Sequence, residues 1–306
     1  MMKLPSSITL CEVGLRDGLQ NEKTPISTER KLWLANKLVE AGFSVIELGS
    51  FMSPKAVPQL ADTDELYRQM GESPAELRAL IANLKGVERA IACGCKKVKL
   101  NVSASRAHNL ANLNKTPQES MEGFAACAQA AREAGIALSG SISMPFASPW
   151  EEKIPLEDVI AIVETYLSIG VEEISLSDTS GMAVPSQVYE MCTLMQQRYP
   201  QVTWWMHFHN TRGLGIANMM AAMEAGITRF DTSFAGLGGC PFVPGAAGNI
   251  ATEDVVYLLD RMGISTGINF DAVMEIGKQV TEWVGHPTDS YLLRAGTGMC
   301  GEASKH

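Results

Sequence analysis

Eight short runs rich in β-branched and aliphatic residues recur along this chain, each followed by a longer Ala-, Leu- and Glu-rich stretch suited to an amphipathic helix. The runs are Ile8 to Val13, Ser44 to Leu48, Glu76 to Ala82, Lys97 to Val102, Ala137 to Met144, Glu172 to Ser177, Thr203 to Phe208 and Arg229 to Phe234. Strand and helix in strict alternation are expected of a parallel α/β fold, because parallel neighbours need a helical crossover between them. Glycines at Ala41-Gly42, Ala134-Gly135, Ile169-Gly170 and Ala225-Gly226 fall where a helix would cap just before the next strand. A doubly wound open sheet would carry the same punctuation, but eight strands favour closure into a TIM (β/α)8 barrel. With 306 residues the chain exceeds the roughly 250 that such a barrel needs. We expect one catalytic domain, with the barrel over about 6–265 and a helical extension over about 266–306. Helices are expected from Thr252 to about Met262 and from Asp271 to Val284, extending the barrel at its C-terminal end.

Composition narrows the partners. A net charge of −9 without a basic stripe disfavours nucleic acid, whose phosphates need clustered Lys and Arg. Apolar runs such as Val171 to Leu176 are far shorter than the roughly 20 residues that span a bilayer. The start, Met1-Met2-Lys3-Leu4-Pro5-Ser6-Ser7, lacks the apolar core of a secretory signal, so a cytoplasmic location is expected. The cysteines, Cys11, Cys93, Cys95, Cys127, Cys192, Cys240 and Cys300, show no disulfide or zinc spacing and read as reduced thiols.

Chemistry concentrates at predicted strand ends. In Trp205-Met206-His207-Phe208-His209-Asn210 the two histidines share one strand face at the C-terminal rim, where barrel active sites lie. Alone they read either as metal ligands or as core histidines in a polar network. Asp17 follows the first strand and Asn249 the glycine run after the eighth, so Asp17, His207, His209 and Asn249 converge on one sector of the rim. This oxygen and nitrogen set suits Mg²⁺ or Mn²⁺, with zinc or cobalt as alternatives; Asn249 by itself more often reads as an N-cap or turn residue.

Arg16 beside Asp17 is either a plain salt bridge or a permanently charged group for an enolate oxygen, with Gln20 adding a neutral hydrogen bond. Glu47 ends the second strand facing inward and fits an ion pair with Arg16. Asp178 ends the sixth strand, where it could orient a histidine, bind substrate or cap a helix. Cys240 lies in Gly236-Leu237-Gly238-Gly239-Cys240-Pro241, where a loop thiol could deliver a proton to a carbanion.

These residues resemble the 3-hydroxy-3-methylglutaryl-CoA lyases, within the metal-dependent aldolase-like lyases and synthases. The resemblance is carried by Glu12-Val13-Gly14-Leu15-Arg16-Asp17-Gly18-Leu19-Gln20-Asn21-Glu22-Lys23, by Ser50-Phe51-Met52-Ser53-Pro54-Lys55, and by the glycine loop from Gly236 through Gly245-Ala246-Ala247-Gly248-Asn249. It implies an acyl-CoA substrate cleaved to acetoacetate and acetyl-CoA, a homodimer, and a place in leucine breakdown. It also implies metal binding by Asp17, His207, His209 and Asn249, enolate stabilisation by Arg16, support from Glu47 and Asp178, proton delivery by Cys240, and His207 or Asp17 as base. Leu15 stands where that family usually has proline, Arg106 where an acid is common, and Ser177 where glycine is usual; Ser148 to Lys153 also departs. Such changes fit a related 3-hydroxy-acyl-CoA thioester as the alternative substrate. A condensing synthase of the same superfamily and a non-catalytic metal- or acyl-CoA-binding barrel are the other readings.

Overall fold

The computed structural model describes residues 4–239, 242–243 and 245–298. Its strands are β1 (Thr9–Glu12), β2 (Val45–Ser50), β3 (Glu76–Ile81), β4 (Lys97–Ser103), β5 (Ala137–Ser143), β6 (Glu173–Asp178), β7 (Thr203–Phe208) and β8 (Arg229–Thr232). Each pairs in parallel with the next, and β8 closes on β1. This is the expected TIM barrel. Two ends move by two residues and the others by at most one: β2 runs on to Ser50, and β8 stops at Thr232, because Ala235 adopts a left-handed φ of 55° inside a tight turn over Phe234–Gly236.

Side-chain alternation divides each strand between two environments. On β4, Val98, Leu100 and Val102 are fully buried in the apolar core, which they share with helical residues such as Val87, Ala90 and Phe124. The intervening Lys97, Lys99 and Asn101 are also buried, and their bonds run across the strands: Lys97 to Glu173 on β6 at 2.6 Å, and Asn101 to the Ser143 hydroxyl on β5 at 3.0 Å. Glu173 also meets Arg78 at 3.1 Å, and the Arg78 guanidinium lies 4.6 Å over the Trp205 ring. Removing such charges from water costs several kcal/mol per ion, which only close pairing offsets.

The glycine punctuation is structural. Gly42 has a φ of 98°, and a Cβ there would lie 2.5 Å from the Gly267 carbonyl oxygen, so a larger residue would push the end of helix Thr28–Glu40 off the C-terminal segment. The expected C-terminal helices are present as Thr252–Arg261 and Phe270–Val284, followed by Tyr291–Ala295. Asp254 fastens the last of these by accepting from the Tyr291 and Leu292 amides at 2.9 and 2.8 Å. Val255, Val273, Ile276 and Val280 join the same core as the barrel strands. Cys11, Cys93, Cys95, Cys127 and Cys192 are buried free thiols; burial pushes Cys192 up to about 12. Among the described residues no helix is long and apolar enough to cross a membrane.

Candidate active site

After Glu12 the chain makes one turn of π-helix over Gly14–Gly18, every residue of it buried. Gly14 permits this, since a Cβ would meet the Phe234 ring at 2.5 Å. Glu12 anchors the turn by accepting from the Gly14 amide at 2.7 Å, and the same carboxylate holds the Phe234 amide at 3.0 Å and the Thr252 hydroxyl at 2.6 Å. Burial without a cationic partner raises Glu12 to about 8.

The turn aims Arg16 and Asp17 into a cavity of about 230 Å³ at the C-terminal mouth of the barrel. Arg16 Nη1 lies 2.5 Å from Asp17 Oδ1, and its Nε donates to Glu47 Oε1. The salt bridge expected from sequence therefore forms, and Glu47 joins it. Gln20 Nε2 adds a bond of 3.0 Å to Asp17 Oδ1. The other oxygen, Asp17 Oδ2, faces His209 Nε2 at 3.1 Å, the Asn249 amide nitrogen at 2.6 Å and His207 Nε2 at 3.9 Å. Burial would raise the Asp17 carboxyl, but Arg16 and the two imidazoles outweigh it and hold the group well below the usual carboxylate range.

Whether this cluster fits a divalent ion is decided by its spare donors. One ligand atom each from Asp17, His207 and His209 lies within 4.8 Å of the others. His209 Nδ1 and Asn249 Oδ1 are buried with no hydrogen-bond partner, a costly state that a bound cation would relieve. His207 spends Nδ1 on Asp231 Oδ2 at 3.2 Å, so its Nε2 is the nitrogen turned toward Asp17. A carboxylate, two imidazoles and an amide oxygen fit a hard or borderline divalent cation.

Asp231 is the orienting carboxylate that sequence reasoning missed. It faces His207 across the β7–β8 register, and burial notwithstanding, Lys99 and His207 hold it far below the ordinary aspartate range. The alternation of Arg229 and Asp231 along β8, continued by Ser233 just beyond its end, was the available signal. Asp178, proposed for a comparable role, spends its carboxylate locally, accepting from Ser180, Met182 and Ala183 at 3.0 to 3.1 Å. It anchors the loop between β6 and helix Pro185–Arg198, whose N-cap is Val184. Cys240 lies outside the described residues.

The cavity floor is formed by Asn101, Ser141, Ser143 and Ser177. Ser177 lies 3.4 Å from the Ser141 hydroxyl, so this departure reaches the site. Arg106 instead lines a separate hollow, Leu15 is packed in the core, and Glu151 caps helix Arg106–Leu113 through Ser105 at 2.6 Å.

The loop after β8 approaches so closely that only glycine fits. A Cβ on Gly248 would lie 1.8 Å from the Gly236 carbonyl oxygen, and one on Gly238 would lie 2.5 Å from the Asn249 amide nitrogen. Gly248→Ala is therefore expected to part these segments and displace Asn249. Turnover should fall by about 10²-fold, since a displacement near 1 Å at a site has that effect, while circular dichroism still shows an intact barrel. Unchanged turnover would mean that the segments separate without moving the site.

The chain matches the family model described as HMGL-like over residues 7–280. It is 40% identical over 296 residues to the human mitochondrial hydroxymethylglutaryl-CoA lyase, covering 96% of this chain and 91% of that one. It is 39% identical to the hydroxymethylglutaryl-CoA lyase of Bacillus subtilis, covering 96% and 98%. A structure of an HMG-CoA lyase from Acinetobacter baumannii, in complex with coenzyme A and 3-methylmalate, superposes with a TM-score of 0.92 at 40% identity, covering 100% and 99%.

Proposed function

Because the chain belongs to the HMGL-like family, we propose that it cleaves 3-hydroxy-3-methylglutaryl-CoA to acetoacetate and acetyl-CoA with a divalent metal, Mg²⁺ or Mn²⁺. The observation that carries this reading is the convergence of Arg16, Asp17 and His207 on one cavity mouth, with His209 and Asn249 packed against Asp17. Asp17, His207, His209 and Asn249 would hold the ion, which when bound would polarise the oxygens of the substrate and favour loss of the hydroxyl proton.

The protein's own groups supply the rest. His207 and Asp17 both line the cavity and are the two candidates for the base that takes the tertiary hydroxyl proton; Asp17 already accepts from Arg16, Gln20 and Asn249, and His207 has Nδ1 engaged with Asp231. As that proton leaves, the hydroxyl oxygen becomes the ketone of acetoacetate. The adjoining carbon–carbon bond breaks, and its electron pair passes to the thioester as an enolate. Arg16, fixed by Glu47, offers a permanent positive charge to that enolate oxygen. Cys240 is the proposed donor of the proton that completes acetyl-CoA.

A neighbouring hollow of about 260 Å³ shares Met52, Ala56 and Leu113 with the cavity and is lined further out by Lys85 and Lys115. Two lysines there suit the phosphates of coenzyme A. A cytoplasmic homodimer belongs to the same reading. The related 3-hydroxy-acyl-CoA alternative is favoured by one observation, the Ser177 hydroxyl at the cavity floor. Acetyl-CoA release by purified protein with Mn²⁺, abolished by EDTA, tests the assignment. No turnover with Mn²⁺ still bound would discard this substrate in favour of the alternative.

A further inference from the structure

Beneath the cavity floor a line of buried charges crosses the barrel. Glu47 divides its carboxylate, with Oε1 taken by Arg16 and Oε2 lying 2.5 Å from Lys99 Nζ. Lys99 Nζ also lies 3.3 Å from Asp231 Oδ2, the oxygen that holds His207 Nδ1 at 3.2 Å. Lys99 comes from β4, whose bonded neighbours are β3 and β5, so its side chain spans the interior to reach Glu47 on β2 and Asp231 on β8. Its side chain is only 3% exposed. It does not line the cavity, where Asn101, the next inward residue of β4, is met first.

We propose that Lys99 is a positioning residue that fixes Arg16 and His207 together, acting on the first through Glu47 and on the second through Asp231. The proposal rests on the lyase reading above, in which Arg16 faces the enolate and His207 the metal. Glu47 and Asp231 repel one another, and Lys99 is the cation between them. Without it the two carboxylates would move apart, turning the guanidinium on one side and the imidazole on the other. None of the residues implied by the family resemblance performs this bridging.

The test compares the wild type with Lys99→Met, Lys99→Arg and Lys99→Met/Asp231→Asn. Steady-state acetyl-CoA release is measured at saturating Mn²⁺, and Mn²⁺ affinity separately from the electron paramagnetic resonance signal of the free ion. Lys99→Met is expected to lower kcat about 100-fold and weaken Mn²⁺ binding about 10-fold, the range for groups that orient metal ligands. KM should change less than about threefold, since Lys99 does not touch substrate. Lys99→Arg, which keeps the charge, should recover kcat to within about tenfold of wild type. The double variant removes a buried ion pair together, so its thermal stability should recover while kcat and Mn²⁺ affinity stay low. Wild-type kcat and Mn²⁺ affinity in Lys99→Met would overturn the proposal, as would recovery of both in the double variant. Should Lys99→Met not fold, the double variant alone decides. Should the wild type not turn over this substrate, the lyase reading fails, and the Mn²⁺ measurement still decides the role of Lys99.

Discussion

Asp17→Ala is expected to reduce metal-dependent acetyl-CoA release by at least about 10³-fold, because a catalytic metal supplies several kcal/mol of transition-state stabilisation. Binding of Mn²⁺ should be lost with it. The reason lies in how many groups converge on this one carboxylate. Oδ1 meets Arg16 at 2.5 Å and Gln20 at 3.0 Å, while Oδ2 meets Asn249 at 2.6 Å and His209 at 3.1 Å. Alanine removes the one anionic member of the proposed ligand set and leaves the Asn249 amide and an imidazole without their acceptor. Asp17→Asn separates charge from shape: it retains an oxygen for Arg16 but should still bind Mn²⁺ poorly. Stability carries a second signature. The carboxyl is held below its ordinary range, so its favourable contribution is present above about pH 4 and is lost as the metal-free protein is acidified through the lower native value. The alanine variant, having no such group, should show a flatter acid limb in its thermal unfolding. Turnover within tenfold of wild type, with Mn²⁺ still bound, would remove Asp17 from the ligand set.

The parts of this architecture that were legible in sequence share a local cause. Strand periodicity, glycine caps such as Gly42 and the spacing of His207 and His209 are each set within a few residues, and the structure reproduces them. Arg16 and Glu47 were also readable, because a strand end fixes both position and direction. Asp231 and Lys99 were not. Each sits inside an ordinary-looking strand, and its importance depends on which residue of another strand stands at the same height. That is a property of barrel register, as in the pairing of His207 with Asp231. The interior added to the difficulty: TIM barrels commonly fill it with Val, Ile and Leu, whereas here Arg78, Lys97, Lys99 and Asp231 occupy it. Asp178 depends on contacts that its strand position does not announce. Its strand-end position suited orienting a histidine, binding substrate or capping a helix, and the Ser180, Met182 and Ala183 donors that hold it belong to the following turn.

Arg16→Lys should lower kcat by about 10³-fold, the upper range for deleting one preorganised donor to a developing oxyanion, although the charge is retained. Arginine meets Asp17 through Nη1 and Glu47 through Nε at once, two directions from one rigid plane. A lysine ammonium is a single point on a flexible stem and cannot hold both carboxylates while facing a third oxygen. The fold should survive, because Glu47 keeps Lys99 at 2.5 Å and Asp17 keeps Asn249 at 2.6 Å. Mn²⁺ affinity should therefore stay within about threefold of wild type, well inside the 10–100-fold losses that follow damage to the groups supporting a metal. This contrast with Asp17→Ala is the useful feature: one substitution removes the ion, the other leaves the ion bound and removes the charge facing the enolate. KM for the thioester should change little, since the enolate charge exists only after bond cleavage begins. If instead KM rises steeply while kcat holds, Arg16 grips the ground-state substrate, and the charge that stabilises the enolate must be sought elsewhere on the cavity wall.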